Sequence, residues 1–180
     1  MASGDHDGAE QARLAEMIAE LADSEHRDIA VAESLTGGIV ASRLAAAPRS
    51  SRWFRGGVVA YASDVKHELL NVPPGPVVST QAARAMAEAV RQLLKADVAV
   101  ALTGAAGPDG QDGQPPGTVF LGLSDETGTH IEHHCFERND PLEVCAEAVA
   151  RALRLLYTHL NNGPGSAVAR EHHSAPPRVV

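Results

Sequence analysis

IAVAESLTGG, residues 29–38, opens on a short uninterrupted apolar run and closes on two glycines. A run of that length bounded by polar residues reads as a buried strand. The residues that follow, TGGIVASRLAAAP, read as a helix closed by Pro48. A strand that passes straight into a helix across a glycine pair is the first half of a βα unit, which sets the chain in an α/β frame.

The same reading extends outward. Upstream, EQARLAEMIAELADS (9–23) sets Leu14, Met17, Ile18 and Leu21 on one helical face, and residues 1–8 read as disordered. Downstream, GGVVAYA (56–62) is a second strand, with Ser63 as N-cap of a short helix over DVKHELLN. A proline-rich loop leads to STQAARAMAEAVRQLL, an amphipathic helix capped by Ser79 or Thr80. DVAVALTG (97–104) is a third strand, and AAGPDGQDGQPP can only be loop. GTVFLGLSD and GTHIEHHCFE are two strands joined by a tight turn at Asp125–Gly128, and residues 140–160 form the last helix. Residues 162–180 lack periodicity and read as a disordered tail. The order α-β-α-β-α-α-β-β-β-α predicts a three-layer α/β/α sandwich around a mixed sheet, a single domain over residues 9–161.

Composition narrows the function. Apolar residues make up 44% of the 180, with one Trp, two Tyr and three Phe, so Ala, Val, Leu and Ile must build the core. A formal charge of −8 repels phosphate backbones, which argues against nucleic acid as a partner. One small phosphate ester in a local pocket stays compatible with it. No apolar leader opens the chain, no run of 18 apolar residues occurs, and Cys135 and Cys145 are the only cysteines. These features predict a cytoplasmic protein without membrane contact, whose reduced thiols are buried structural groups.

In open α/β sheets, sites form at the carboxyl ends of strands. Three loops qualify: AESLTGG (32–38), AYASDVK (60–66) and TGAAGPDG (103–110). In the first, Ser34 ends a strand, and Gly37 and Gly38 let backbone N–H groups of the following turn meet an anion or oxyanion. The plainer reading makes Ser34 or Thr36 a cap. In the second, Tyr61 ends a strand and Lys66 falls in the first turn of a helix, whose dipole disfavours the ammonium. A neutral lysine is what a serine nucleophile needs as base. An isolated lysine would more simply snorkel to solvent. In the third, Gly104, Gly107 and Gly110 are spaced G-x-x-G-x-x-G, which is neither a dinucleotide fingerprint nor a Walker loop. Strand alternation also places His130, Glu132 and His134 on one face, a possible metal site that reads better as a solvated strand face.

Taken together, the loops resemble the nicotinamide-nucleotide amidohydrolase family, the CinA C-terminal domain. Its members read A-E-S-C-T-G-G, G-x-V-x-Y-S-N-E-A-K, T-G-x-A-G-P and G-T-V. Here stand A-E-S-L-T-G-G at 32–38, G-V-V-A-Y-A-S-D-V-K at 57–66, T-G-A-A-G-P at 103–108, and Gly117-Thr118-Val119. The resemblance covers residues 10–160. It implies Ser34 as nucleophile, with Tyr61 and Lys66 as proton-handling partners, acting on nicotinamide mononucleotide without metal or cofactor. It also implies a substrate-binding set of Glu33, Thr36, Gly37, Gly38, Thr103, Gly104 and Gly107, and a homo-oligomer. Ala62, Ser63 and Asp64 replace the family's Ser, Asn and Glu, and ERNDPLEV stands where a Gly-Asp-Arg sequence is common. Two alternatives follow. One is a silent pyridine-nucleotide- or partner-binding module of the same fold. The other is an S-x-x-K site in which Ser63, not Ser34, is served by Lys66.

Overall fold

A computed structural model of the chain describes residues 3–137 and 140–163, with side chains from residue 8 onward. The elements are α1 (Ser3–Glu25), β1 (Ile29–Glu33), α2 (Ile39–Ala46), β2 (Phe54–Val59), α3 (Ser63–Leu69), α4 (Thr80–Leu93), β3 (Val98–Ala105), β4 (Thr118–Ser124), β5 (Thr129–Cys135) and α5 (Pro141–Asn162), with one 3₁₀ turn at Ser50–Arg52. The order is the one expected. Helix α1 begins at Ser3, so residues 3–8 are helical rather than disordered. The expectation for the tail falls on residues 164–180, outside the described residues.

The five strands form one sheet in the order β2-β1-β3-β4-β5. Strands β2, β1 and β3 run parallel, while β4 and β5 are antiparallel to their neighbours. The β4–β5 hairpin closes at the expected turn, where Asp125 N donates to Gly128 O.

Alternation along the strands sorts the two faces by size. Ile29 and Val31 of β1, Val98, Val100 and Leu102 of β3, and Val119, Leu121 and Leu123 of β4 point into a core shared with α1, α2 and α5. The intervening Ala30, Ala32, Ala99 and Ala101 face α4, whose Ala82, Met86, Ala87 and Val90 cover them. Alanines on both sides let α4 lie close to the sheet, so the second layer is thin and the first thick. Helix α4 is capped as expected: Ser79 Oγ accepts from Ala82 N at 3.1 Å.

The cysteines depart from expectation. Cys135 is exposed on β5, and Cys145 is half-buried on α5, its Sγ 3.2 Å from Leu35 O. Among the described residues, no helix is long and apolar enough to cross a membrane.

Candidate functional site

Beyond the carboxyl ends of β1, β2 and β3, three loop segments enclose a cleft of about 330 Å³. The β1–α2 junction contributes Ser34 and Leu35, the β2–α3 junction Tyr61, α3 Lys66, and the loop after β3 residues 104–111. All three nominated loops therefore reach one place.

Glu33 shapes the first of them. Its side chain is fully buried at the end of β1, and its carboxylate accepts four bonds. Thr36 Oγ1, Gly38 N and Val40 N donate to Oε2 at 2.7, 3.1 and 3.1 Å, and Ala41 N donates to Oε1 at 2.7 Å. The opening turn of a helix leaves amides without intrahelical partners, and this carboxylate gathers them. Position Gly38, the N-cap, has a φ of 103° and no side chain to do so, which places glycine there for its backbone.

Two expectations change as a result. Helix α2 starts at Ile39 rather than at the T-G-G, and the amides meant for an oxyanion are engaged: Gly37 N donates to Ser34 O and Gly38 N to Glu33. Glu33 and Thr36, expected to touch substrate, are instead bonded to each other and to the helix start. Thr103 is likewise fully buried, its Oγ1 donating to Val77 O at 2.6 Å. Of the seven nominated binding residues, Gly104 and Gly107 line the cleft. Gly104 is also dictated by the sheet, since a Cβ there would lie 2.5 Å from Thr118 O.

Ser34 is 5% exposed and Lys66 2% exposed, whereas Tyr61 is 72% exposed, beyond the end of β2. Burial pushes the Lys66 ammonium below its usual value of 10.5, and the smaller influence of Asp112 pulls the other way. The expected helix dipole is minor, because α3 has only seven residues and desolvation is the dominant cause. Ser63 is the first residue of α3 rather than its cap. The N-cap is Ala62, with no side-chain bond, and Ser63 is exposed and absent from the cleft wall. The S-x-x-K pair is therefore split, with its lysine inside and its serine outside.

Sequence reasoning missed Leu35 as a wall residue and Asp112 as a partner of the site. An Asp-Gly pair inside the loop was the available signal for the latter, since it marks a tight turn. The histidine face on β5 lies away from the cleft and is half-buried rather than solvated. There His134 Nε2 lies 2.8 Å from Glu132, and bonds from His130 and His134 hold the Glu132 carboxyl at about 2.

A single α/β domain that gathers a serine and a buried lysine in one cleft at the carboxyl end of its sheet places them where open α/β folds build their sites. Comparison with known proteins places it more closely. Residues 11–160 match the CinA C-terminal domain, and the chain belongs to that family. A CinA-like protein of Frankia casuarinae is 39% identical over 153 residues, covering 82% of this chain and 35% of its own length. One from Geobacter metallireducens is 45% identical over 114 residues, covering 60% of this chain and 28% of its own length. The chain thus spans about a quarter to a third of the curated relatives it matches. Among solved structures, competence damage-inducible protein A from Klebsiella pneumoniae superposes with a TM-score of 0.80 at 30% identity, over 84% of this chain and 97% of that one. A competence/damage inducible protein of Agrobacterium tumefaciens gives 0.77 at 31%, over 84% and 96%.

Proposed function

We propose that the domain is an amidohydrolase that converts nicotinamide mononucleotide to nicotinate mononucleotide and ammonia, with Ser34 as nucleophile and Lys66 as base. The observation that carries this reading is the burial of Lys66 in the cleft that Ser34 lines. A desolvated lysine gives up its proton more readily than a solvated one, and a serine alcohol needs such an acceptor to attack an amide. The four motifs in register supply the substrate, and a cleft of about 330 Å³ lies within the range that small ligands occupy.

In the proposed reaction, neutral Lys66 takes the Ser34 proton while Oγ adds to the carboxamide carbon. The amide of Leu35 is the donor best placed for the oxyanion, because Leu35 lines the cleft and its N–H meets no acceptor among the described residues. Collapse of the tetrahedral adduct breaks the C–N bond, and ammonia leaves with the proton that Lys66 received. Tyr61, at the exposed rim of the cleft, relays that proton. Water then adds to the acyl-serine with Lys66 again as base, releasing the acid and restoring Ser34. Small molecules are the partners in this scheme, and the acidic surface keeps nucleic acid away.

The test is incubation of the purified chain with nicotinamide mononucleotide, following ammonia and the nicotinate product together. Release of both in equal amounts, rising with pH as Lys66 loses its proton, is the expected result. No turnover at any pH from neutral to alkaline overturns the proposal.

A further inference from the structure

Asp112 stands at the tip of a two-residue turn outside the cleft. Gln111 and Gln114 exchange backbone bonds at 3.0 and 2.9 Å, and Asp112 and Gly113 between them have φ of 56° and 78°. This is the backbone of a tight hairpin turn, which an Asp-Gly pair favours. The Asp112 carboxylate does not cap its own turn. Its Oδ2 accepts from Val77 N at 2.7 Å and Val78 N at 2.9 Å, in the segment ahead of α4. Val77 O in turn accepts from Thr103 Oγ1 near the end of β3. The bonds make a closed circuit from β3 through Thr103, Val77 and Asp112, and back along the loop to β3. The stretch inside that circuit, residues 104–111, lines the same cleft as Ser34 and Lys66.

The circuit also places a charge. Tyr61 and Asp109 share the cleft wall with Lys66, and Asp64, His67 and Glu68 share its helix. The Asp64 carboxylate is turned to Val65 N and the His67 ring to Val72 O. Among all of these, Asp112 is the group whose charge bears on Lys66, favouring the ammonium against its burial.

We propose that Asp112 is a positioning residue of this site: it pins the glycine-rich wall of the cleft and supplies the negative charge that acts on the buried Lys66. The proposal rests on the Ser34–Lys66 reading of the cleft, but it can be tested without any substrate. The chain has only two lysines, Lys66 and the exposed Lys95, so Lys95→Arg leaves a single lysine signal in ¹³C NMR. In that background, Asp112→Asn keeps an acceptor oxygen and removes the charge, and the Lys66 titration midpoint should fall. Asp112→Ala should shift the midpoint similarly and speed amide exchange at Val77 and Val78 by at least about tenfold, through loss of their acceptor. A midpoint unmoved in Asp112→Asn overturns the electrostatic half. Unchanged exchange in Asp112→Ala overturns the pinning half. If the alanine variant does not fold, the asparagine variant still decides, through its titration and through a smaller rise in exchange at Val77 and Val78, since a neutral oxygen accepts more weakly than a carboxylate. A chain that releases no ammonia yet shows the Lys66 shift refutes the substrate assignment alone.

Discussion

Replacing Glu33 by Gln separates a cap from a ligand. The buried carboxylate accepts three donors on one oxygen and the Ala41 amide on the other. With the glutamine carbonyl in the crowded position, three bonds survive but lose their charge assistance, at about 1 kcal/mol each. The glutamine NH₂ then faces the Ala41 N–H, and a stranded buried donor costs about 1–3 kcal/mol. Relief from burying a charge offsets part of this, leaving a net loss of about 2–4 kcal/mol. Against the ~5–15 kcal/mol typical of a domain, the variant still folds, and its Tm drops by roughly 10 °C. Urea unfolding of both proteins, with the slope compared to confirm two-state behaviour, measures the difference. If Glu33 held substrate instead, turnover would fall while stability stayed within about 0.5 kcal/mol, the range of an ordinary surface change. That outcome refutes the capping assignment.

Three further perturbations probe the same region. Ser34→Ala should cut ammonia release by about 10³-fold or more, whereas Ser63→Ala, at an exposed position with no cap bond, should alter stability by less than ~0.5 kcal/mol and leave turnover intact; the reverse pattern would move the nucleophile to Ser63. Because folding depresses the pKa of Lys66, the unfolded chain holds more protons between that depressed value and 10.5, so wild-type stability should rise with pH across this window. Lys66→Met should flatten that rise, raise the Tm at pH 7 and abolish turnover, while Lys66→Arg should not restore activity, since arginine stays protonated; a Lys66→Met protein less stable than wild type at pH 7 contradicts the argument. Gly104→Ala should destabilise by about 2 kcal/mol or more in urea, because the new Cβ meets Thr118 O at 2.5 Å with backbone on both sides; a loss below ~0.5 kcal/mol would show that β3 and β4 can part easily.

The architecture was readable because the signals that fix it are local. Alternating Ile/Val and Ala in IAVA and VAVAL, a cap at Ser79 and a turn at Asp125–Gly128 each declare themselves within a few residues. The convergence of three loops followed from strand direction alone. What stayed hidden depends on where a side chain points. An acid at the end of a strand before T-G-G looks the same whether it faces a ligand or the amides behind it, and the outcome for Glu33 turns on its complete burial. Ser63 fits the cap pattern by type, yet the helix starts one residue early, at Ser63 itself, and leaves Ala62 in the cap position. The link from Asp112 to Val77 joins residues 35 apart, a separation no window of local pattern spans. At the amino end, polar composition suggested disorder where α1 in fact continues to Ser3.

Helices α1 and α5 lie side by side, and their polarity has a practical consequence. Near its start, α5 reaches the β1–α2 junction through Cys145 and Leu35, and near its end His159 meets Asp125 at the far rim of the sheet. Helix α1 follows the same direction: Gly8 and Gln11 gather with Ile39 and Arg43 at the start of α2, and Ala22 accepts from Arg27 just before β1. The start of α1 therefore lies on the cleft side of the sheet, and the end of α5 lies at the opposite pole. A fluorescent label belongs on the last turn of α5, at the exposed Asn161, where it leaves the mouth of the cleft open to solvent.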